Sequence, residues 1–418
     1  MDILVIGGGG REHAIIKKLR QSKNAGTIYC APGNGGIAGD AVCVDIKATD
    51  VEGAVRFAKE NKIGFVVVTP DDPLSLGMVD ALGKAGIKAF GPDAKAAQIE
   101  ASKVFSKGLM KKYGIPTADY EVFDAPAQAL EYIKSRGAYP AVIKADGLAL
   151  GKGVVIAADY EQAQAAVRSI MEDKIFGASG NRVVVEEFLT GPEVSVLAFT
   201  DSKTLVPMVS SKDHKRAYDG NRGPNTGGMG TISPNPYYTD AVAEECMRTI
   251  FLPTMHAMNS EGRPFKGCLY FGLMLTPKGP KVIEYNSRFG DPETQVVIPR
   301  LKTDLLEIFE AVADERLAEI DIKWDSRCAA CVVAASGGYP GKYPKGKEIS
   351  GIDKAEALGV TAYHAGTALR DGKYYTNGGR VLGVTALGDT LPEALEKAYE
   401  GIGLISFEGM QYRRDIGR

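Results

Sequence analysis

A lysine at the end of a short apolar run, followed at once by alternating glycines, is the stretch of this sequence best suited to hold an anion: V-I-K-A-D-G-L-A-L-G-K-G at 142–153. Lys144 ends a predicted strand over 141–145. Gly147, Gly151 and Gly153 leave the backbone free to turn its N–H groups over a phosphate, and Lys152 adds a point charge there. The spacing is not G-x-x-x-x-G-K-[ST], and the V-V-I-A-A that follows predicts another strand instead of a helix, which excludes a P-loop. A flexible glycine loop joining two antiparallel strands is expected. A glycine-rich hairpin with no ligand is the alternative this stretch alone leaves open.

A second group lies downstream in E-Y-N-S-R-F-G-D-P-E-T-Q at 284–295. On a strand, Glu284 and Asn286 point to the same face, and two oxygen ligands with Arg288 just beyond suit a magnesium that bridges phosphates. An isolated E-x-N is a weak pattern; its weight comes from following a glycine loop and a further irregular stretch. That stretch, Ser210 to Ile232, carries D-H-K-R and G-P-N-T-G-G-M-G without periodicity, which predicts a functional loop or lid. It lacks the low-complexity composition of a disordered linker. Neither G-x-S-x-G nor a Cys-His arrangement is apparent, so no side-chain nucleophile is expected.

The elements that must position these groups alternate. Strands are predicted at 3–6, 27–31, 64–69 and 87–90, with helices at 11–21, 51–61 and 77–85, the pattern of a parallel doubly wound sheet. Its small-residue loops, G-G-G-G-R-E, A-P-G-N-G-G and T-P-D-D-P-L, should line one site beyond the strand ends. A dinucleotide is disfavoured: Glu12 replaces the third glycine of G-x-G-x-x-G, and the second strand ends in Ala31-Pro32 instead of a ribose-binding carboxylate. A phosphate at the helix N-terminus beside Arg11 fits better. Next comes a helix over 93–113, whose Lys103, Lys107, Lys111 and Lys112 read largely as a solvated face. Helices at 126–136 and 161–174 and a strand at 182–187 surround the glycine loop in a small α+β unit. A long helix over 240–259 precedes strands at 267–275 and 281–285. A charged connector over 311–322 leads to short strands, glycine turns and one helix over 391–402.

At 418 residues the chain is long enough for roughly three domains. Fifty basic against 52 acidic residues leave no charge excess for a nucleic acid or a membrane surface. The opening M-D-I-L-V-I-G lacks a basic n-region and no apolar run has bilayer length, so a cytoplasmic location is expected. Cys30, Cys43, Cys246, Cys268, Cys328 and Cys331 do not form a disulfide framework. The single C-x-x-C continues as a strand, and buried structural thiols are expected.

Taken in order, Lys103, the glycine loop, V-V-E-E-F-L-T-G-P-E at 184–193 and E-Y-N-S-R at 284–288 resemble the ATP-grasp ligases. The collinear set G-G-R-E-H-A at 9–14, P-G-N-G-G at 32–36, D-H-K-R at 213–216, G-P-N-T-G-G-M-G at 223–230, G-D-P-E-T-Q at 290–295, H-A-G-T at 364–367 and T-N-G-G-R-V at 376–381 is similar to the branch that joins glycine to 5-phosphoribosylamine. This resemblance spans residues 1 to 418. It implies an α/β and α+β multidomain fold: an N-terminal substrate domain over 1–101, an ATP-grasp core over 102–122 and 189–312, and a lid subdomain over 123–188. A linker over 313–327 and a small C-terminal β-rich domain over 328–418 complete it.

It also implies small-molecule substrates (5-phosphoribosylamine, glycine and ATP), Mg2+ or Mn2+ as the metal, and a monomer. By position, Lys103 and Lys144 would hold the ATP phosphates under a loop carrying Gly151 and Lys152. Glu186, Glu187 and Phe188 would meet the adenine edge through the hinge backbone, and Glu193 the ribose. Glu284 and Asn286 would bind metal. Arg288, Lys144 and Asp213 would be catalytic. Gly9, Gly10, Arg11, Asn34, Gly36, Asp71, Lys215, Arg288, Gly290 and Asp291 would hold the other substrates. Two departures stand out: Gly272 where the superfamily often has a third metal-binding aspartate, and Asp71 where this branch usually has glutamate. A related ligase of the same pathway, such as a carboxylase or formyltransferase, and a nucleotide sensor without turnover are the competing readings. E-x-N and Arg288 argue for transfer over sensing.

Overall fold

The computed structural model describes residues 1–148 and 153–418, so the expectations for Gly151 and Lys152 fall outside the described residues. The chain begins with five parallel strands, β1 Ile3–Gly7, β2 Ile28–Pro32, β3 Val42–Cys43, β4 Phe65–Val68 and β5 Ala89–Phe90, in the order β3-β2-β1-β4-β5. Every residue of β1 and β4 is buried, as expected where helices cover both faces of a parallel sheet. The order reverses between β1 and β4, so their C-terminal loops flank a crevice. The third loop is not irregular throughout: Asp71–Ser75 forms a short helix with two acidic residues in its first turn, where they meet the positive end of the helix dipole.

The helix expected over 93–113 is two helices, Ala94–Ala101 and Lys103–Tyr113, because Ser102 leaves helical geometry and its hydroxyl caps the second by accepting from Phe105 N–H. The lid subdomain follows: β6 Tyr120–Phe123, the helix Pro126–Arg136, β7 Ala141–Ala145, β8 Val154–Ala157, the helix Tyr160–Val167 and β9 Val183–Glu187. Its sheet order is β6-β9-β7-β8, all antiparallel. β7 and β8 are the two strands expected on either side of the glycine loop.

β10 Glu193–Asp201 and β11 Leu205–Pro207 open the core subdomain. β12 Lys212–Asp213, β13 Arg216–Tyr218, β14 Arg222–Asn225 and β15 Gly230–Ser233 then occupy the stretch that the sequence suggested was an irregular loop or lid. That expectation is corrected. The strands are only two to four residues long and broken by Gly220, Gly223, Gly227 and Gly228, so no alternation could show in the sequence. The long helix over 240–259 appears as Asp240–Cys246 and Leu252–Ser260 joined by one π-helical turn. β16 Lys266–Thr276 and β17 Gly279–Asn286 complete a sheet ordered β11-β10-β16-β17.

The charged connector expected over 311–322 begins inside the last turn of a helix, Leu305–Ala313, that the sequence reading does not assign. Leu305, Leu306, Ile308, Phe309 and Val312 are fully buried, and Phe309 lies 4.0 Å, ring to ring, from Phe90 of the N-terminal sheet and 6.1 Å from Phe289. Each such side chain contributes about 2 kcal/mol of apolar burial. The helix therefore joins the first domain to the core through one continuous apolar cluster that also includes Leu197, Phe199 and Cys331. The last domain contributes β18 Cys328–Ala335, β19 Glu348–Ile349, β20 Thr361–His364, β21 Thr367–Arg370, β22 Lys373–Thr376, β23 Arg380–Gly388 and the helix Leu391–Leu404. Its larger sheet runs β12-β15-β18-β23-β20, so the first and last strands of the stretch read as a loop or lid extend the sheet of the C-terminal domain, while β13 and β14 pair with each other as a separate hairpin. The six cysteines are free thiols, four of them buried. No helix among the described residues is long and apolar enough to cross a membrane.

Candidate active site

One cavity of about 1070 Å³ runs between the lid sheet, the core sheet and the loops of the first and third domains. It gathers Arg11, Asp71, Lys103, Lys144, Glu186, Glu187, Phe188, Glu193, Asp213, Lys215, Glu284, Asn286, Arg288 and Asp291 from the expected set. Gly9, Gly10, Asn34, Gly36 and Gly290 do not line it.

At one end, Glu186 on β9 is buried between two lysines: Lys144 Nζ of β7 lies 3.0 Å and Lys107 Nζ 3.1 Å from the same oxygen, Oε2. Lys144 also donates to the Ile283 carbonyl at 3.1 Å, and Lys107 donates to Thr117 Oγ1 at 2.8 Å. The other oxygen, Oε1, is buried without a partner among the described residues, which suits it to accept from a donor in the cavity. Lys107 was read as part of a solvated face and is almost fully buried; that expectation is corrected. Burial lowers its ammonium to about 8 against the pull of Glu186. The signal was available, because Lys103 and Lys107 are four residues apart and share a helix face. Lys103 bonds the Gly147 carbonyl at 2.8 Å, and burial lowers it too. Glu187 pairs with Lys281 at 2.7 Å, and Phe188 is exposed at the hinge.

In the middle, Glu284 and Asn286 project from β17 opposite Gly272 and Tyr270 of β16. A side chain at Gly272 would begin 3.1 Å from Glu284 Cγ, so the glycine leaves the carboxylate its room. Glu284 Oε1 is 3.4 Å from Lys215 Nζ, and chiefly through Lys215 its carboxyl is pushed down to about 2. No cluster of three or more His, Cys, Asp or Glu suited to a metal occurs among the described residues. An ionised carboxylate and an amide oxygen, both on the cavity wall, nonetheless fit a hard cation that takes its remaining ligands from phosphate and water.

At the far end, Arg288 is positioned by a residue the sequence reading missed. Glu100, buried, accepts from Ser287 N–H at 2.8 Å and Ser287 Oγ at 2.9 Å with one oxygen and pairs with Arg288 at 3.0 Å with the other. Asn286 Oδ1 accepts from Arg288 at 3.3 Å. Glu293 was missed as well: buried, it accepts from Tyr270 Oη at 3.0 Å and Ser195 Oγ at 3.3 Å. Burial, with Glu293 next, holds the Asp213 carboxyl well above its usual range. Neither glutamate sits in a motif that names its role, since each is recognisable only once Arg288 or Tyr270 is beside it.

The N-terminal loops are occupied by internal partners. Gly9 N–H donates to Glu12 Oε2 at 2.6 Å, Arg11 N–H to Asp291 Oδ2 at 3.2 Å, and the Arg11 guanidinium to Glu12 and to the Phe289 carbonyl. Asn34 donates to the Gly8 and His364 carbonyls and accepts from the N–H groups of Gly36 and Ile37. In this structure Asn34 and Gly36 thus shape the loop and tie it to the third domain. The motif histidines meet there: His364 N–H donates to His13 Nδ1 at 2.8 Å, so His13 is the Nε2–H tautomer and donates to Asp40 at 2.9 Å.

A nucleotide grip between two α+β subdomains, with a doubly wound domain before it and a β-rich domain after it, defines an ATP-grasp ligase. The three domain models of phosphoribosylglycinamide synthetase match in order: the N domain over residues 1–100, the ATP-grasp (A) domain over 101–294 and the C domain over 329–418. The chain belongs to the phosphoribosylglycinamide synthetase family. It is 50% identical over 416 residues to the phosphoribosylamine–glycine ligase of Caldanaerobacter subterraneus subsp. tengcongensis, covering 100% of this chain and 99% of that protein. It is 48% identical to the human trifunctional purine biosynthetic protein adenosine-3, covering 99% of this chain and 41% of that longer protein. The crystal structure of the Thermotoga maritima phosphoribosylamine–glycine ligase aligns over 100% of both chains with a TM-score of 0.83 at 34% identity. A Campylobacter jejuni biotin carboxylase shares the fold, with a TM-score of 0.73 at 14% identity over 98% of this chain and 92% of that one.

Proposed function

We propose that this ligase joins glycine to 5-phosphoribosylamine with ATP, giving glycinamide ribonucleotide, ADP and phosphate through glycyl phosphate, in de novo purine biosynthesis. The observation that carries the reading is the single cavity in which a lysine-lined end is continuous with a mixed-charge end holding Arg288, Asp213, Lys215 and Glu293.

A carboxylate is a poor electrophile, so its phosphorylation is what makes amide formation feasible, and the protein's task becomes positioning and charge neutralisation. Lys103 and Lys144 hold the phosphates, the hinge at 186–188 takes the base, and Glu193 takes the ribose. Arg11, Asp71 and Asp291 face the phosphoribosyl group, while Gly9, Gly10 and Gly290 belong to the loops that carry Arg11 and Asp291 and do not themselves line the cavity. Glu284 and Asn286 would hold a divalent cation, Mg2+ or Mn2+, which supplies charge neutralisation at the phosphates. A carboxylate oxygen of glycine attacks the γ-phosphorus and ADP leaves. Arg288, fixed by Glu100, stabilises the charge on the transferring group. The amine nitrogen then attacks the acyl carbon, phosphate departs with the glycine-derived oxygen, and the amine loses a proton. Burial makes Asp213 more basic than a free carboxylate, which suits it to receive that proton.

Glycine labelled with oxygen-18 in its carboxylate tests the reaction. One labelled oxygen per turnover is expected in inorganic phosphate, together with ADP release that depends on glycine and is not supported by formate or bicarbonate. Unlabelled phosphate alongside normal product would reject the acyl phosphate.

A further inference from the structure

The third domain reaches the reaction end of the cavity through one side chain. Arg380, the first residue of β23, lines the cavity and is one-fifth exposed. Its Nη1 donates to the Gly227 carbonyl at 2.6 Å, the Gly228 carbonyl at 3.4 Å and the Asp291 carbonyl at 2.7 Å, and its Nη2 lies 3.2 Å from Asp291 Oδ1. The planar fork thus spans two loops at once, a geometry that a lysine ammonium does not reproduce.

Both loops carry substrate-facing groups. Gly228 sits at φ +114°, and a side chain there would begin 2.5 Å from Asp213 Oδ1 and 2.4 Å from Pro292 Cδ. A side chain at Gly227 would begin 2.9 Å from Arg380 Cζ. The two glycines are therefore pressed between the guanidinium on one side and Asp213 on the other, and glycine is required at both for that approach. Asp291 has no oxygen to spare: Oδ1 takes Arg380 and Gln295 Nε2 at 2.9 Å, while Oδ2 takes Arg11 N–H of the first domain. Burial alone would raise its carboxyl, but Arg380 and Arg11 beside it hold it below the usual range. One carboxylate of the core is thereby tied to both outer domains.

We infer that Arg380 is a positioning residue supplied by the C-terminal domain: through Asp291 and the carbonyls of Gly227 and Gly228 it sets the wall on which Asp213 and Arg288 meet the substrates, without touching the nucleotide end. This rests on the ligase reading for its substrates, but the placement of the loops can be read without them.

The test uses full-length protein carrying Arg380→Ala, Arg380→Lys, Asp291→Asn and the Arg380→Ala/Asp291→Asn pair. Arg380→Ala should raise KM for phosphoribosylamine or glycine about tenfold while KM for ATP stays within about twofold, because the lysine-lined end is untouched. Arg380→Lys should recover less than half of that loss on a logarithmic scale. The double variant should be no more than about twofold worse than Arg380→Ala, as expected when two residues act as one unit. Hydrogen exchange should rise in 223–230 and 289–295 and stay unchanged in 141–145. If Arg380→Ala does not fold, Arg380→Lys and Asp291→Asn carry the same comparison. Equal rises in all three KM values, multiplicative effects in the double variant, or unchanged exchange in 223–230 would each overturn the inference. Failure of the wild type to use glycine would instead overturn the substrate assignment, with the exchange result still deciding the role of Arg380.

Discussion

The two ends of the cavity are built on different principles. At the lysine-lined end, Lys107, Lys144 and Glu186 ride on a helix and two adjacent strands of the ATP-grasp subdomains, and the hydrogen-bonded register of β7 and β9 alone brings two of them together: Val142 faces Glu186 and Lys144 faces Val184. At the reaction end, Asp213, Lys215, Arg288 and Asp291 come from short strands and loops, Arg380 from the start of β23 in the C-terminal domain, and Arg11 from the N-terminal domain. The lysine-lined end is thus built within one pair of subdomains, whereas the other end is assembled from all the domains of the chain. Gly227 and Gly228 at the reaction end and Gly272 in the middle are part of this arrangement, because the first two let the loops approach closely and the third leaves room for the Glu284 carboxylate.

Glu284 stands where the two ends meet, so its loss should have the largest effect. Glu284→Ala removes an acceptor that three lysines face, Lys215 first among them, followed by Lys144 and Lys103. Turnover is expected to fall by about 10³-fold, on the order of 4 kcal/mol of transition-state stabilisation, with the fold retained by circular dichroism. Near-normal rates in saturating magnesium would show that the middle of the cavity is not where the ends are coupled.

Lys107 should separate the ends. Lys107→Met leaves Glu186 with a single cation, and KM for ATP should rise about tenfold with kcat changed by less than about threefold, since no reacting group is touched. Burial lowers Lys107 to about 8, against about 10.4 for an unfolded lysine. Between those values the unfolded chain holds more protons, so the contribution of this residue to stability rises with pH across that window. ATP binding responds in the opposite sense, because the neutral amine no longer balances Glu186. Affinity for ATP in the wild type should therefore fall above about pH 8, and a titration of nucleotide affinity in Lys107→Met should lack that limb. An unchanged alkaline limb in the variant would assign it to another group.

The same contrast explains what could be read in advance. β1, β4, β16 and β17 are long or wholly apolar and β7 and β9 open on apolar runs, so their places, together with Lys103, Lys144, Glu284, Asn286 and Arg288, follow from pattern and motif. The stretch over 210–232 misled because β12 to β15 are too short for alternation, and because β18, the partner of β15, lies about a hundred residues further on. The helix Leu305–Ala313 was not legible because the connector expected over 311–322 begins inside its last turn, and its apolar face is defined by packing against two domains. Glu100 and Glu293 could not be found from spacing, because each is defined by a partner far away in sequence, Arg288 for one and Ser195 for the other. Motif membership also did not separate chemistry from assembly: G-G-R-E-H-A and H-A-G-T are as distinctive as E-Y-N-S-R, yet His13 and His364 bond to each other across the junction of the first and third domains.

That junction supplies the smallest expected effect on catalysis. His13 is buried; it accepts from the His364 N–H and donates to Asp40, which also pairs with Lys17 and Arg20. His13→Ala leaves the His364 N–H without its acceptor and Asp40 without its one buried donor, so stability should fall by about 1–3 kcal/mol while kcat/KM stays within about twofold. Burial lowers His13 below its ordinary value, and His364 is pushed down to about 3 by burial and by His13. An unfolded histidine titrates near ~6.5, so on acidification the unfolded chain takes up protons that the folded junction refuses. The stabilisation contributed by the neutral ring is thus present above that value and is lost as pH falls below it. Thermal unfolding between about pH 5 and 7.5 should show a shallower acid slope in His13→Ala than in the wild type. A parallel pair of curves, or a large fall in kcat/KM at full stability, would place His13 in the chemistry and dissolve the distinction between the residues that join the domains and those that use the joined cavity.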